Sequence, residues 1–162
     1  MEERGRGDVC CWDRRQFSPG LEGKRREFAE ALEVTTGATA DAAEHEVAAS
    51  IDRLVAYAGW TDKYTHVLGG HNPVAGPYYD FTIPEPSGIV GVVPPDMPSL
   101  LGAITLLAAP LCAGNVVIVI ADRALAVPAA LLGEVCATSD VPAGVVNVLT
   151  CERDELLPHL AT

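Results

Sequence analysis

The chain has 162 residues, 49% of them hydrophobic, and 22 acidic residues against 11 basic ones give it a formal net charge of −11. This length fits one compact domain or part of a larger one, and the apolar fraction is ample for a core. The charge argues against nucleic acid and anionic membrane surfaces as partners, because binding to phosphates depends on lysine and arginine. Residues 64–162 contain only two basic residues, Arg123 and Arg153, against nine acidic ones.

The N-terminal segment is rich in arginine and glycine and has no apolar stretch typical of a secretory signal. We therefore expect a poorly ordered terminus at residues 1–20, a folded region at residues 21–162 and a cytoplasmic protein. The five cysteines are scattered without metal-ligand spacing, which is typical of reduced thiols.

Two helices are predicted next. Lys24 to Val34 has an apolar side and is followed by Gly37, a typical stop signal. A second helix starts after Thr39 or Asp41, either of which can cap it, and its apolar residues recur at helical spacing from Val47 onwards. Together they predict an antiparallel helical pair.

The remainder of the chain reads as strands alternating with helices. Residues 78–83 alternate apolar and polar side chains, which predicts a half-buried strand ended by Pro84. The later predicted elements are a strand at Ile89–Val93, a helix at Pro98–Ala113, a strand at Val116–Ile120, a helix at Val127–Ala137 and a strand at Val145–Leu149. Such alternation indicates an α/β fold, part of a doubly wound parallel sheet preceded by the helical pair.

One segment allows a membrane alternative. Met97 to Ala121 contains no charged residue over 25 positions, which is long enough for a spanning helix. Pro110, the Gly114-Asn115 pair and the β-branched run after them favour a buried helix followed by a buried strand.

A ligand of such a sheet is expected at the carboxyl ends of its strands, in the turns Pro94–Pro98, Ala121–Ala124 and Thr150–Asp154. Neither GxGxxG nor GxxxxGK[ST] occurs there. Asp96 and Asp122 both follow strands, where they either interact as a carboxylate pair or, as we expect, cap the next helices.

Two other candidate sites are weak. Cys151 follows the last strand, where a nucleophile could lie, but only Arg153 is near it in sequence, so an inert thiol is predicted. A metal site could be formed by Asp62, His66 and His71, but the spacing of the two histidines in a loop favours ordinary surface histidines.

Three segments resemble one known family. Residues 85–94, 113–117 and 141–150, with Pro98 between the first two, resemble in order and spacing the first half of the cofactor-binding domain of aldehyde dehydrogenases. The helical pair is similar to the N-terminal helices of that family. Residues 56–64 and Pro95-Asp96 look most like the degenerate second module of two-domain family 16 aldehyde dehydrogenases.

This resemblance implies a fold that binds NAD or NADP at the carboxyl edge of the sheet and oxidises aldehydes to acids through a cysteine thiohemiacetal. It assigns to the cofactor edge the residues Val93, Pro94, Ile120, Asp122 and Arg123. The oxyanion-hole asparagine of the family falls on Asp96, whose carboxylate cannot donate a hydrogen bond unless protonated. The family's ribose-holding lysine and glutamate fall on Ile120 and Arg123, and the glycine after its third strand falls on Cys151.

In the family, the catalytic cysteine and the general-base glutamate come later than the strand that ends here at Thr150. We therefore expect a non-catalytic module that serves in assembly, partnered by a second copy or by the remainder of a larger aldehyde dehydrogenase, with no nucleic acid or membrane. Residues 78–83 match the family's oligomerisation strand. The alternative is the N-terminal part of an active NAD-dependent enzyme, and NADP is disfavoured because Arg123 is the one candidate for its extra phosphate.

Overall fold

A computed structural model describes residues 17–139 and 141–160. Its first helix, α1, spans Phe17–Gly23, so helical structure begins inside the segment that we expected to be poorly ordered. Phe17 and Leu21 lie one turn apart and are both buried, which explains the earlier start, and Pro19 is tolerated in a first helical turn. Residues 1–16 of that expectation lie outside the described residues.

The predicted helical pair is confirmed as α2, Arg25–Thr36, and α3, Ala40–Ala58. Helix α2 ends at Gly37, whose φ of 72° is the left-handed conformation that favours glycine. Of the two possible caps of α3, Thr39 is the one used, since its hydroxyl accepts a hydrogen bond from the Ala42 N–H at 3.3 Å.

A short helix, α4, spans Tyr64–Leu68 and leads into a two-stranded antiparallel sheet of β1, Gly70–His71, and β2, Phe81–Thr82. The half-buried strand predicted for residues 78–83 is therefore wrong in extent and in burial. Only Phe81 and Thr82 pair with another strand, and Tyr79, Phe81 and Ile83 are 71%, 51% and 64% exposed. Apolar and polar side chains do alternate along this segment, but no layer formed by the described residues covers its apolar side.

The main sheet follows the predicted order, with bounds that differ by at most one residue. Its elements are β3, Ile89–Val92; α5, Ser99–Cys112; β4, Val116–Ala121; α6, Ala126–Thr138; and β5, Val146–Thr150. The strands are parallel in the order β3-β4-β5. Since both crossovers run the same way along the sheet and such crossovers are right-handed, α5 and α6 lie on one face. Helix α7 spans the eight residues Arg153–Leu160 and was not predicted from the sequence.

Helix α5 lies at the centre of the core. It contains no charged residue, and Leu100, Ile104 and Leu107 are fully buried. It packs against β3 and β4 on one side and against α3 on the other, while α1 and α2 pack against α6. The chain is therefore layered as a sheet, two crossover helices and the helical pair.

The uncharged segment is divided as predicted between a helix and a strand. Gly114, with a φ of 80°, turns the chain out of α5. The Asn115 side chain accepts a hydrogen bond from the Gly88 N–H at 2.9 Å and donates one to the Pro110 carbonyl at 3.0 Å. Asn115 thus joins the starts of β3 and β4, and no helix among the described residues is long and apolar enough to cross a membrane.

The first turn of α5 receives its cap from another helix. One carboxylate oxygen of Glu46, in α3, accepts hydrogen bonds from the backbone N–H groups of Leu100 at 2.7 Å and Leu101 at 3.1 Å. These are donors that a helix leaves unpaired, and the negative charge lies at the positive end of the helix dipole. Glu46 therefore fixes the helical pair against the sheet layer.

We expect Glu46→Ala to lower the free energy of unfolding by about 1 to 2 kcal/mol, because two N–H groups lose a charged acceptor. Urea unfolding followed by circular dichroism measures the change. The matched control is Glu44→Ala, an exposed position of the same helix. Equal losses for the two variants would contradict the capping role.

Candidate functional site

The carboxyl ends of the three parallel strands meet around one arginine. Arg153 is the first residue of α7, and its Nη2 donates hydrogen bonds to the Pro94 carbonyl at 3.0 Å and to Asp96 Oδ1 at 2.5 Å. Its Nε lies 3.7 Å from Asp122 Oδ2. Because Pro94 and Asp96 follow β3 and Asp122 follows β4, one guanidinium joins two strand ends to the helix that follows the third.

A second ion pair lies beside the first. Arg123 donates from Nε to Glu152 Oε1 at 2.9 Å, and its Nη2 lies 2.8 Å from the same oxygen. The hydrogen bond with Glu152 raises the pKa of Arg123. Unlike Arg153, whose side chain is 24% exposed, Arg123 is 84% exposed. The guanidinium of Arg153 is therefore partly buried, although Asp96 beside it is 69% exposed, and Arg123 lies on the surface.

The interpretation of Asp96 and Asp122 as helix caps is wrong. Neither α5 nor α6 has a side-chain cap from the residue before it, and the N–H groups of α5 are taken by Glu46. Asp122 Oδ1 instead accepts from the N–H of Arg123 at 2.7 Å, within its own turn. Both carboxylates contact Arg153, so the structure brings together the two residues that the sequence singled out.

The other residues assigned to the cofactor edge have different surroundings. Val93 is half-buried and Pro94 is buried, with its carbonyl bonded to Arg153. Ile120 is 1% exposed, so it presents no side chain to solvent at this edge. The charged side chains here are two arginines and three carboxylates (Asp96, Asp122, Glu152), a net charge of −1. Each of these five takes part in a contact with another.

Sequence reasoning missed Arg153 as a member of this site and considered it only as a neighbour of Cys151. A signal was available, since Arg153 is one of two basic residues after Lys63 and follows the third strand, while acids follow the first two. Cys151 itself is half-exposed, and its Sγ lies 3.9 Å from the Leu149 carbonyl.

The contacts of His71 are with an aromatic side chain. His71 Nε2 lies 3.2 Å from the Tyr79 hydroxyl, and the two rings meet edge to face. Within residues 17–139 and 141–160, no group of three or more His, Cys, Asp or Glu side chains is arranged to hold a metal ion.

The order of the strands and the position of the site at their carboxyl ends define the fold class. It is part of an open, parallel, doubly wound α/β sheet that a helical pair precedes in the chain. A sequence model described as "Aldehyde dehydrogenase family" matches residues 15–162. The chain belongs to the aldehyde dehydrogenase family and corresponds to the N-terminal part of its members.

Individual relatives agree with this placement. Retinal dehydrogenase 2 of Taeniopygia guttata is 37% identical over 100 residues, which are 61% of this chain and 19% of that protein. The crystal structure of a salicylaldehyde dehydrogenase from Pseudomonas putida G7 complexed with salicylaldehyde is 25% identical, with a TM-score of 0.81 over 98% of this chain and 32% of that one. The glyceraldehyde-3-phosphate dehydrogenase of Methanocaldococcus jannaschii complexed with NADP shares the fold, at 24% identity and a TM-score of 0.71 over 92% of this chain and 32% of that one. The chain spans about a fifth of the length of the curated relative.

Two of the described cysteines are buried, Cys112 in α5 as expected and Cys136 in α6. Burial raises the pKa of Cys136 to about 12. Since the unfolded thiol ionises at lower pH, this group makes the folded state less stable as the pH rises from the ordinary thiol pKa of about 9 towards 12.

We expect Cys136 to react with iodoacetamide about a thousandfold or more slowly in the folded protein than in urea, because the thiolate is the reactive form. Peptide mass spectrometry after timed labelling measures each cysteine separately. Cys151, which is half-exposed, is the internal control and should change by less than about tenfold. Similar folded-state rates for Cys136 and Cys151 would refute the expectation.

Proposed function

We propose that this chain is an assembly module of the aldehyde dehydrogenase fold and that its own residues do not carry out the family's NAD(P)-dependent oxidation of aldehydes. The observation that carries the proposal is a set of exposed apolar side chains around the small sheet, which we call the hairpin surface. Its members are each more than half exposed: Val67, Leu68, Tyr78, Tyr79, Phe81 and Ile83.

Large exposed apolar side chains close together in the chain are typical of interaction sites, and tyrosine and phenylalanine are enriched in interface cores. The ring centroids of Tyr79 and Phe81 are 5.4 Å apart, so these two rings lie side by side on the surface. A partner that covers them would remove apolar area from water, which is the main favourable term in association.

The main sheet supports the same proposal. Strand β3 is an apolar strand at one edge of the three-stranded order, and Ile89 is 71% exposed. Exposed apolar edge strands are usually covered or paired, because their free N–H and C=O groups otherwise recruit other chains. The partner that we propose is a second copy of the chain or the remainder of a larger aldehyde dehydrogenase.

The proposal that the chain is not catalytic is supported by Asp96. In the resemblance this residue takes the place of the oxyanion-hole asparagine, and its carboxylate is an acceptor that is bonded to Arg153. An acceptor at that place would repel a developing oxyanion instead of stabilising it.

The cofactor of the family, NAD or NADP, supplies a hydride acceptor, and the edge residues of this chain do not fit it. Ile120 is apolar and buried, and Asp122 and Arg123 are already paired with Arg153 and Glu152. Glu152 also places a carboxylate beside the single arginine suggested for the extra phosphate of NADP, which disfavours that cofactor further.

A second candidate function is the N-terminal part of an active NAD-dependent aldehyde dehydrogenase. It is favoured by the 37% identity to retinal dehydrogenase 2 and by the retention of the fold over nearly the whole chain. The coding sequence on either side of residues 1–162 separates the two candidates. A continuation that carries the family's catalytic cysteine and general-base glutamate, and whose product reduces NAD in the presence of an aldehyde, would favour the enzyme, whereas the assembly proposal expects no such activity. For either function we propose a cytoplasmic location, on the basis of the scattered cysteines.

We expect the chain to self-associate at about 10 µM and the double change Tyr79→Ser with Phe81→Ser to weaken the association by at least about tenfold, since both rings leave the patch. Sedimentation equilibrium measures the difference. Val34→Ser is the matched control, because Val34 is 83% exposed in α2, far along the chain from the hairpin surface. A monomeric wild-type chain, or an equal effect of Val34→Ser, would overturn self-association through this surface.

A further inference from the structure

We infer that Arg153 closes the carboxyl edge of the sheet against dinucleotides, by placing a cation of the chain itself between the two carboxylates at the strand ends. This inference concerns the edge and not the hairpin surface, so it does not depend on the assembly proposal. The molecules that the edge is expected to exclude are dinucleotides, whose pyrophosphate is anionic.

The contacts of Arg153 hold it firmly in this place. The guanidinium donates to a main-chain carbonyl and to Asp96 and lies beside Asp122, so it is bonded to partners from two separate loops. Its Nε is shielded from solvent and has no hydrogen-bond partner among the described residues other than the ionic contact with Asp122. A partly shielded arginine of this kind interacts more strongly with its carboxylates than an exposed one does.

The same contacts explain why an anion is rejected. Arg123 and Arg153 are the only basic residues after Lys63, and both are engaged by carboxylates. A pyrophosphate that approached this edge would have to displace Arg153 and would then face Asp96 and Asp122 without their counter-charge. The side chain of Asp122 is only 23% exposed, so its uncompensated carboxylate would repel the pyrophosphate, which makes the exchange of partners unfavourable.

Arg153 also determines where α7 lies. Helix α7 has eight residues, which is too short to be stable in water by itself. Its first residue supplies the side-chain bonds to the loop after β3, and its acidic residues Asp154 and Glu155 add negative charge outside the edge. The helix and the closed edge are therefore expected to form and open together.

Hydrogen exchange of the full chain, followed by mass spectrometry, tests this coupling with Arg153→Ala and the matched control Arg123→Ala. Both variants remove one positive charge at the same edge, but only the first removes a shielded guanidinium. We expect amides of residues 154–160 to exchange at least about tenfold faster in Arg153→Ala and within about twofold of wild type in Arg123→Ala. Arg153→Lys keeps the charge but cannot reach both partners, and is expected to behave like Arg153→Ala.

The rejection of dinucleotides is tested in the same experiment by adding NAD at about 1 mM, a concentration that would saturate a micromolar site. We expect no added protection of the amides of Val93, Asp96 and Met97 or of residues 120–124 in the wild-type chain. Protection of those residues by NAD would overturn the inference, as would equal acceleration of α7 in Arg153→Ala and Arg123→Ala. Unchanged exchange in α2 and α3 confirms that each variant remains folded.

Discussion

The burial of α5 is the constraint on which the rest of the structure depends. A helix without charged residues needs apolar cover on more than one side, and β3 with β4 supplies it on one side while α3 supplies it on the other. Glu46 anchors this contact by accepting hydrogen bonds from the first turn of α5. Because α5 joins β3 to β4, holding it in place also fixes where β3 ends and where β4 begins.

The chemistry of the strand ends follows from that placement. Asp96 and Asp122 leave β3 and β4 side by side, and two carboxylates in such positions need a counter-charge. The chain provides it from α7 through Arg153, where the family fold would lead us to expect groups that hold a cofactor. In this member of the aldehyde dehydrogenase family, the carboxylates after β3 and β4 share the guanidinium of Arg153, and the hairpin surface is exposed.

Local signals predicted most of the fold, and contacts distant in sequence account for what they missed. Pro110 and Gly114-Asn115 marked the end of α5, and the β-branched run marked β4, because helix ends and strand preference depend on nearby residues. Burial of residues 78–83 was predicted wrongly, since it depends on what covers them. The partners of Glu46 and Arg153 lie 54 and 57 residues away along the chain, so no spacing rule could assign them.

Exchange of the side-chain N–H groups of arginine tests the central claim most directly. In a ¹⁵N–¹H spectrum at neutral pH, the Nε–H of a shielded, ion-paired arginine exchanges slowly with water, and that of an exposed one exchanges fast. We predict a resolved, slowly exchanging signal for Arg153 that NAD leaves unchanged, beside fast exchange for Arg53, which is exposed in α3. Exchange of Arg153 as fast as that of Arg53, or a shift of its signal on addition of NAD, would contradict a closed edge.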